Sequence, residues 1–315
     1  MRTKTLIANW KMNADFISIS KFFKHISSFQ DVDVMVAPSY LGIVPSLSLS
    51  SGKDVEIISQ NVSLPSLGSH TGSVSWLELK DYGISTTFIG HPDVKMDFKE
   101  KNYQINAKLK KLLKNNFKSI VFIEENRIDL SKESTKENLK LQINQIFDDI
   151  SGLELIEDDA TKQDILKKVY IVYKPTFSGE ITTKFDSKFV FDTVKVIREF
   201  LRNKFGFYVG NNLPILYGGE ITNDDVEVIC KNNDLDGILI EDERALSHKY
   251  INILYKHLYN GSNLAYKQHY DHNVLVDVPT ENERISEANK ALEFDMYDTT
   301  TESYFDDIKI IEEDI

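Results

Sequence analysis

Short apolar runs alternate with amphipathic segments along most of the chain. The runs are rich in β-branched and aromatic residues, which favours strands. In several segments between them, apolar residues recur at the three- and four-residue spacing of one helix face, which predicts helices. The predicted strands are Thr5–Asn9, Asp33–Pro38, Glu56–Gln60, Thr86–Gly90, Ser119–Glu124, Val169–Tyr173, Leu213–Tyr217 and Gly237–Ile240. The segments predicted as helices include Ile17–Phe29, Ile105–Asn115, Lys136–Ile150, Ser187–Lys204 and Asp224–Lys231.

Eight strands that alternate with helices predict an α/β protein, and the natural arrangement is a closed (β/α)8 barrel. An open, doubly wound sheet would give the same alternation. No G-x-G-x-x-G motif follows the first strand, which weakens the dinucleotide-binding form of the open sheet. We therefore expect a barrel over residues 1–258 that uses no cofactor, followed by a C-terminal extension over residues 259–315.

The sixth predicted strand carries a candidate functional residue. Ile171–Phe177 is a β-branched and aromatic run that contains Pro175, which predicts a buried strand ending where the proline cannot donate a ladder hydrogen bond. Lys174 then stands at the carboxyl end of this strand. Because barrel enzymes place their chemistry at that end of the strands, Lys174 is either a working group or a replacement for one.

Composition and charge exclude several classes of partner. The chain has 315 residues, of which 41% are hydrophobic, so it can bury a large core. Its formal net charge of −12 argues against nucleic acid and anionic membranes as partners. No apolar segment reaches the length of a membrane span, and Met1–Lys4 leads directly into the first strand, so we expect neither membrane insertion nor a signal peptide. The single cysteine, Cys230, and the lack of metal-ligand spacing favour a cytoplasmic protein without a metal site.

Six motifs, in one order along the chain, carry a family resemblance. Ala8-Asn9-Trp10-Lys11-Met12-Asn13 resembles the strand-1 motif of the triosephosphate isomerases, and the resemblance continues in register to about residue 258. It implies the TIM barrel fold. The other matching segments are Gln60–Ser63 with Thr71–Ser75, Ile89–Asp93 where the family reads G-H-S-E, Tyr173–Pro175 where it reads Y-E-P, Tyr217–Glu220 where it reads Y-G-G-S, and Asp236–Ile240 at its eighth strand.

The resemblance implies a catalytic apparatus that this chain holds only in part. Triosephosphate isomerase is the standard example of this chemistry: a carboxylate removes a proton beside a carbonyl, a neutral histidine polarises that carbonyl, and a closing loop excludes water. The family also uses an asparagine and a lysine from strand 1. By position, Asn9, Lys11 and His91 are retained, but Lys174 replaces the catalytic glutamate. A protonated lysine cannot accept a proton, and general-base help is typically worth about 10²–10⁴-fold in rate.

The phosphate site that the resemblance implies is also changed in a way that opposes the family's activity. The family grips its phosphate with backbone N–H groups in the loops after strands 6, 7 and 8. Here acidic residues stand in all three loops, in place of a glycine, a serine and a glycine pair, and like charges repel a dianion. We therefore expect the former substrate site not to bind, and Glu220 or Glu241 to pair with the lysines instead. In chain order the acids are Glu180, Glu220 and Glu241 with Asp242, and the glycines Gly218 and Gly219 are retained.

Three functions fit these observations. The leading hypothesis is an isomerase homologue that has lost its activity and serves as a structural or docking subunit of a larger assembly. The first alternative is a divergent isomerase that interconverts glyceraldehyde 3-phosphate and dihydroxyacetone phosphate. The second is a Schiff-base lyase or aldolase-type barrel that uses Lys174.

Two segments outside the resemblance are candidate contact surfaces. One is an acidic insert, residues 151–163, before the sixth strand. The other is residues 277–315, where thirteen acidic residues against three basic ones supply −10 of the net charge. Because apolar and aromatic residues are scattered among these acids, we expect docking to a protein partner. A homodimer through Leu64–Ser75 is the further expectation, since the family dimerises through this loop.

Overall fold

The computed structural model describes residues 3–126, 132–150, 168–176 and 185–260. Eight strands lie within these ranges, and every predicted strand is present. The strands are β1 Lys4–Asn9, β2 Val32–Ala37, β3 Glu56–Ile57, β4 Thr86–Ile89, β5 Lys118–Asn126, β6 Val169–Thr176, β7 Ile215–Tyr217 and β8 Gly237–Ile240. The insert at 151–163, Glu180 and the segment 277–315 lie outside the described residues.

The sheet closes into a barrel. Its strand order is β3-β2-β1-β8-β7-β6-β5-β4, and each neighbouring pair is parallel. The two outer strands meet through a parallel bridge between Ser59 and Thr87. Ser59 N–H donates to the carbonyl of Thr86 at 3.0 Å, and Phe88 N–H donates to the carbonyl of Ser59 at 3.0 Å. The predicted barrel is confirmed, and the open sheet is excluded.

Helices connect the strands. The described helices are α1 Phe16–His25, α2 Tyr40–Leu49, α3 Trp76–Asp81, α4 Pro92–Asp97, α5 Asn102–Lys114, α6 Lys132–Ile146, α7 Ser187–Asn212, α8 Asn223–Lys231 and α9 His248–Asn260, with a 3₁₀ turn, η1, at Glu243–Leu246. α7 is broken at Gly206, which has φ 81° and ψ 167°. α2 was not predicted, because Gly42 and Pro45 interrupt a segment whose apolar residues do not form one stripe.

Alternation along each strand divides the core into two layers. One set of side chains packs outward against the helices, and the other fills the barrel. The inward set comprises Ile7, Met35, Ala37, Ile58, Phe88, Ile120, Phe122, Tyr170, Val172, Leu216 and Leu239. Two residues further along the same face of β1, β6 and β8 are Asn9, Lys174 and Glu241, respectively. The pleat therefore directs these three side chains toward the carboxyl-end mouth of the barrel.

β6 runs past the proline that was expected to end it. Pro175 is paired in register with Glu125 of β5, and the strand continues to Thr176. Odd-numbered residues of β6 bond toward β7, as in the hydrogen bond from Ile171 N–H to the carbonyl of Pro214. The missing N–H of Pro175 faces that side, where β7 has already ended at Tyr217, so no ladder bond to β5 is lost. The predicted strand end was therefore wrong.

A buried ion pair ties α7 to β8 at the opposite end of the barrel. Arg198 and Asp236 have side chains that are each 3% exposed, and Nη2 of Arg198 lies 2.8 Å from Oδ2 of Asp236. The same carboxylate oxygen accepts the N–H of Ile215 at 2.8 Å. The remaining donors of Arg198 bind the carbonyl oxygens of Gly210, Asn211, Leu213 and Asp234. This guanidinium joins the C-terminal end of α7 to the segment that leads into β8.

In the described part of the chain, none of the helices is both long and apolar enough to span a bilayer.

Candidate active site

The carboxylate of Glu241 is the centre of the barrel mouth. Its Oε1 forms an ion pair with Nζ of Lys174 and lies 3.5 Å from Nζ of Lys11. Its Oε2 accepts a hydrogen bond from Nε2 of His91 at 2.9 Å. The side chain is 15% exposed. One carboxylate from the end of β8 therefore engages three side chains from the ends of β1, β4 and β6.

The hydrogen bonds of His91 define its tautomer. His91 caps the N-terminus of α4, and its Nδ1 accepts the N–H of Asp93 at 3.1 Å. A nitrogen that accepts a backbone N–H carries no proton, so the proton of the neutral ring is on Nε2. Nε2–H then donates to Glu241. The ring also packs against Phe122, with ring centroids 4.6 Å apart, and it is buried.

The charges at the site reinforce one another. Burial by itself would raise the pKa of Glu241, but the hydrogen bond from His91 and the charges of Lys174 and Lys11 outweigh it and hold the pKa far below its usual range. Burial would likewise lower the pKa of Lys11, but Glu241 and Asp93 raise it above its ordinary value. Glu241 and Lys11 are therefore a carboxylate and an ammonium at neutral pH.

A tight turn after β1 places Lys11. The residue has φ 49°, which is the left-handed region. The side-chain oxygen of Asn9 accepts the N–H of Lys11 at 3.2 Å, and Nε2 of Gln60 donates to the Lys11 carbonyl at 2.9 Å. Nζ of Lys11 then reaches Asp93 at 3.0 Å as well as Glu241. Asn9 thus acts on the backbone of the turn, and Lys11 on the carboxylates.

The retained glycines are required by packing. A Cβ on Gly218 would lie 2.6 Å from Cγ1 of Val172, and one on Gly219 would lie 2.2 Å from the hydroxyl oxygen of Tyr217. Both distances are shorter than any real contact of this kind, so side chains at these positions would displace β6 or Tyr217. The presence of Gly218 and Gly219 is explained without a bound phosphate.

The predicted acids do not all meet. Among the predicted acids that the structure describes, Glu241 alone contacts Lys11 and His91. Asp242 faces Arg244, with Oδ2 and Nη2 2.6 Å apart, and it caps η1. Glu220 is exposed. Of the two partners expected for the lysines, Glu241 takes that place, and Glu180 lies outside the described residues.

Two further contacts at this face were not among the predicted site residues. Asp93 pairs with Lys11, as described above, and its position in the first turn of α4 directly after His91 was the available signal. Glu124, two residues beyond Phe122 on the inward face of β5, pairs with Lys95 at 3.0 Å. In these two contacts, Lys11 and Lys95 are each paired with a carboxylate.

Within the described ranges, no group of three or more His, Cys, Asp or Glu side chains is arranged to hold a metal ion.

The side chains of Glu241, Lys11, Lys174 and His91 bind one another, and we call them the closed ion cluster. This arrangement suits a structural role better than acid–base catalysis. A general base works best when its pKa lies near the operating pH, and Glu241 is held far below that range. The N–H with which His91 could polarise a carbonyl is donated to Glu241. Lys174 donates to Glu241 and, at 3.4 Å, to the carbonyl of Gly218, so its Nζ is engaged within the protein.

Comparison with known proteins gives a consistent result. A family model described as triosephosphate isomerase matches residues 4–256. The triosephosphate isomerase of Mycoplasma capricolum subsp. capricolum is 29% identical over 262 residues, which cover 81% of this chain and 98% of that protein. The triosephosphate isomerase of Ureaplasma parvum serovar 3 is 28% identical over 239 residues, which cover 75% and 92%. The acidic segment 277–315 lies beyond the match to the family model.

Proposed function

This chain belongs to the triosephosphate isomerase family, and from that premise we propose that it keeps the family's barrel without the family's activity and serves as a structural or docking subunit of a larger protein assembly. One observation carries the first half of the proposal. The Glu241 carboxylate takes the hydrogen bond of His91 and the charges of Lys11 and Lys174 at once. The groups retained from the family are therefore satisfied within the protein.

The proposed loss of isomerase activity rests on changes at each group that the family's reaction needs. Lys174 stands where the family has its base, and an ammonium has no lone pair to accept a proton. A substrate carbonyl would have to displace a charge-assisted hydrogen bond to reach Nε2–H of His91. Glu241 and Asp242 stand where the family has a glycine pair, and each like-charge contact with a phosphate at about 4–6 Å costs on the order of 1 kcal/mol or more in a partly screened site.

Neither alternative gains a specific observation. A Schiff base requires a lysine amine that is free to attack a carbonyl, whereas Nζ of Lys174 is engaged by the carboxylate of Glu241. A divergent isomerase requires a carboxylate of suitable basicity, and the carboxylate at the site, Glu241, has a strongly lowered pKa.

An isomerase assay tests the loss of activity. We expect no conversion of glyceraldehyde 3-phosphate to dihydroxyacetone phosphate above the buffer rate, for the natural protein and for Lys174→Glu. The reason is that restoring a carboxylate at 174 leaves Glu241 and the altered phosphate loops in place. The measurement is a coupled assay on protein made in a host that lacks its own isomerase, with an active triosephosphate isomerase as positive control. Turnover by the natural protein would contradict the proposal.

The docking role is proposed for segments outside the family core. Residues 277–315 are strongly acidic, so a partner with a basic, partly apolar groove would suit them, and the insert 151–163 would add to this surface. The loop Leu64–Ser75 is proposed as a homodimer contact. It exposes Leu67 by 70% and Leu64 by 38%, and Leu41 in the first turn of α2 and Phe98 directly after α4 are exposed by 93% and 77%.

Mass measurement in native extract tests this role. We expect the tagged full chain to elute in an assembly of fixed stoichiometry, and a variant lacking 277–315 to leave it. The matched control replaces 277–315 with a shuffled sequence of the same composition, which keeps the charge and should also fail to assemble. Elution of the full chain as a monomer would contradict both contacts, and a stable dimer of this chain alone would support only the contact through Leu64–Ser75.

A further inference from the structure

We propose that His91, Lys11 and Lys174 form a binding site for a small monovalent carboxylate, and that Glu241 is the ligand that occupies it. This carboxylate cradle, defined as these three side chains, rests on the proposed function in one respect, since both depend on the position of Glu241. It goes further because it assigns a class of ligand to the former substrate site.

The donors of the cradle match a carboxylate group in number and direction. The lysine ammonium groups face one oxygen, Oε1, and Nε2–H of His91 faces the other, Oε2, at 2.9 Å. Two oxygens on one carbon are thus held from two sides. Each donor also has a contact besides Glu241: the ring of His91 accepts the N–H of Asp93, Nζ of Lys11 pairs with Asp93, and Nζ of Lys174 lies 3.4 Å from the carbonyl oxygen of Gly218. A site held by its surroundings persists when its ligand is exchanged.

The charge of the cradle selects a monoanion. Among the described residues, the carboxylate that pairs with these lysines when Glu241 is absent is Asp93, which lies 3.0 Å from Nζ of Lys11. One positive charge is then left, and a monoanion neutralises it. A phosphate dianion would leave the site negative beside Asp93. Lys11 is 33% exposed and Asp93 45%, so the cradle is open to solvent on this side and an external ion can enter.

Truncation of Glu241 makes a cavity of known shape. Glu241→Ala removes Cγ and the carboxylate group, and these are the heavy atoms of acetate. Acetate can therefore restore the lost contacts without being attached to the chain. Glu241→Gln is the matched control, because its amide fills the same volume and leaves no room for acetate.

The experiment measures melting temperature against acetate concentration at constant ionic strength, with chloride as the replaced ion. We expect Glu241→Ala to melt below the natural protein, and to regain stability in a saturable way. At acetate concentrations ~100-fold above the dissociation constant, mass action predicts a rise of roughly 5–10 °C. The natural protein and Glu241→Gln should not respond. An equal rise in chloride or phosphate, or no rise in acetate, would overturn the proposal.

Two measurements keep the test decisive. If Glu241→Ala does not fold in chloride, its refolding yield in acetate is measured instead; recovery in acetate alone supports the cradle, and recovery in neither salt overturns it. The side-chain nitrogen spectrum of His91 should move on truncation and return with acetate. Failure of the cradle leaves an inactive protein inactive, whereas turnover by the natural protein would overturn the proposed function whatever acetate does.

Discussion

Replacing Lys174 by glutamate is expected to lower the free energy of unfolding by about 3–5 kcal/mol at neutral pH. The substitution removes the ammonium that pairs with Glu241 and places a second carboxylate beside it. Both side chains are mostly buried, with 14% and 15% exposed, so water screens the new repulsion weakly. Chemical denaturation at pH 7 measures the loss. The effect is large because the substitution both breaks a buried pair and adds a like charge.

The matched control is Lys231→Glu. Lys231 pairs with Glu227 one helical turn away in α8, and these side chains are 46% and 57% exposed. Reversing a charge in an exposed pair should change stability by only about 0.5 kcal/mol. Equal losses in the two variants would show that the barrel mouth is as well solvated as the helix surface, which would contradict the closed ion cluster.

The pH dependence gives an independent check. The pKa of Glu241 is lowered in the folded protein, so its contribution to stability is present above the pKa of an unfolded carboxyl group, near ~4.3, and is lost as pH falls toward the lowered folded value. In Lys174→Glu, acid instead protonates one of two adjacent carboxylates and relieves their repulsion. The stability difference between the two proteins should therefore shrink as pH falls from 7 to about 4. A difference that stays constant over this range would contradict the assigned charges.

The second large effect is expected at the other end of the barrel. Arg198→Met should lower the free energy of unfolding by about 3–5 kcal/mol, because it leaves Asp236 as a buried carboxylate without its guanidinium. It also removes the donors that bind the carbonyls of Gly210, Asn211 and Leu213 at the C-terminal end of α7. Methionine keeps much of the volume, so packing loss is a minor part of the effect.

Arg202→Met is the control for this prediction. Arg202 lies one turn further along α7 and makes one hydrogen bond, from Nη1 to Oδ1 of Asn211 at 3.2 Å. Its loss should cost about 1 kcal/mol or less. Thermal or urea unfolding of both variants separates the two cases. Similar stability of Arg198→Met and the natural protein would mean that the buried pair contributes little, as is found when a well-packed apolar group replaces an ion pair.

The alternation of apolar runs with amphipathic segments predicted eight strands of an α/β protein, and the family resemblance then implied the barrel rather than an open sheet. Most strand residues of the barrel are buried on both faces, so the apolar runs that mark strands have few polar interruptions, such as Asp33 in β2. The exceptions have local causes. α2 carries Gly42 and Pro45, which hide a helix, and β6 tolerates Pro175 because the missing N–H faces a side where the neighbouring strand has ended.

The site was harder to predict than the fold. Glu220 and Glu241 both follow a barrel strand closely, and residue type does not distinguish them. Glu241 comes directly after β8 and keeps the inward direction of Leu239, whereas the chain turns after the short strand β7 and Glu220 becomes exposed. Which acid pairs with Lys174 is thus decided by where the strands stop, to within one residue, and a sequence pattern does not give that precision.

His91 has consequences for how such sequences change over time. Its Nδ1 caps α4 and its ring packs on Phe122, so replacing it would weaken a helix start and the barrel core even in a protein that never meets a substrate. Gly218 and Gly219 are constrained in the same way by Val172 and Tyr217. Purifying selection on folding would keep these positions long after selection on turnover had ended. A sequence motif that is used to identify an enzyme can therefore persist after the catalytic activity has been lost.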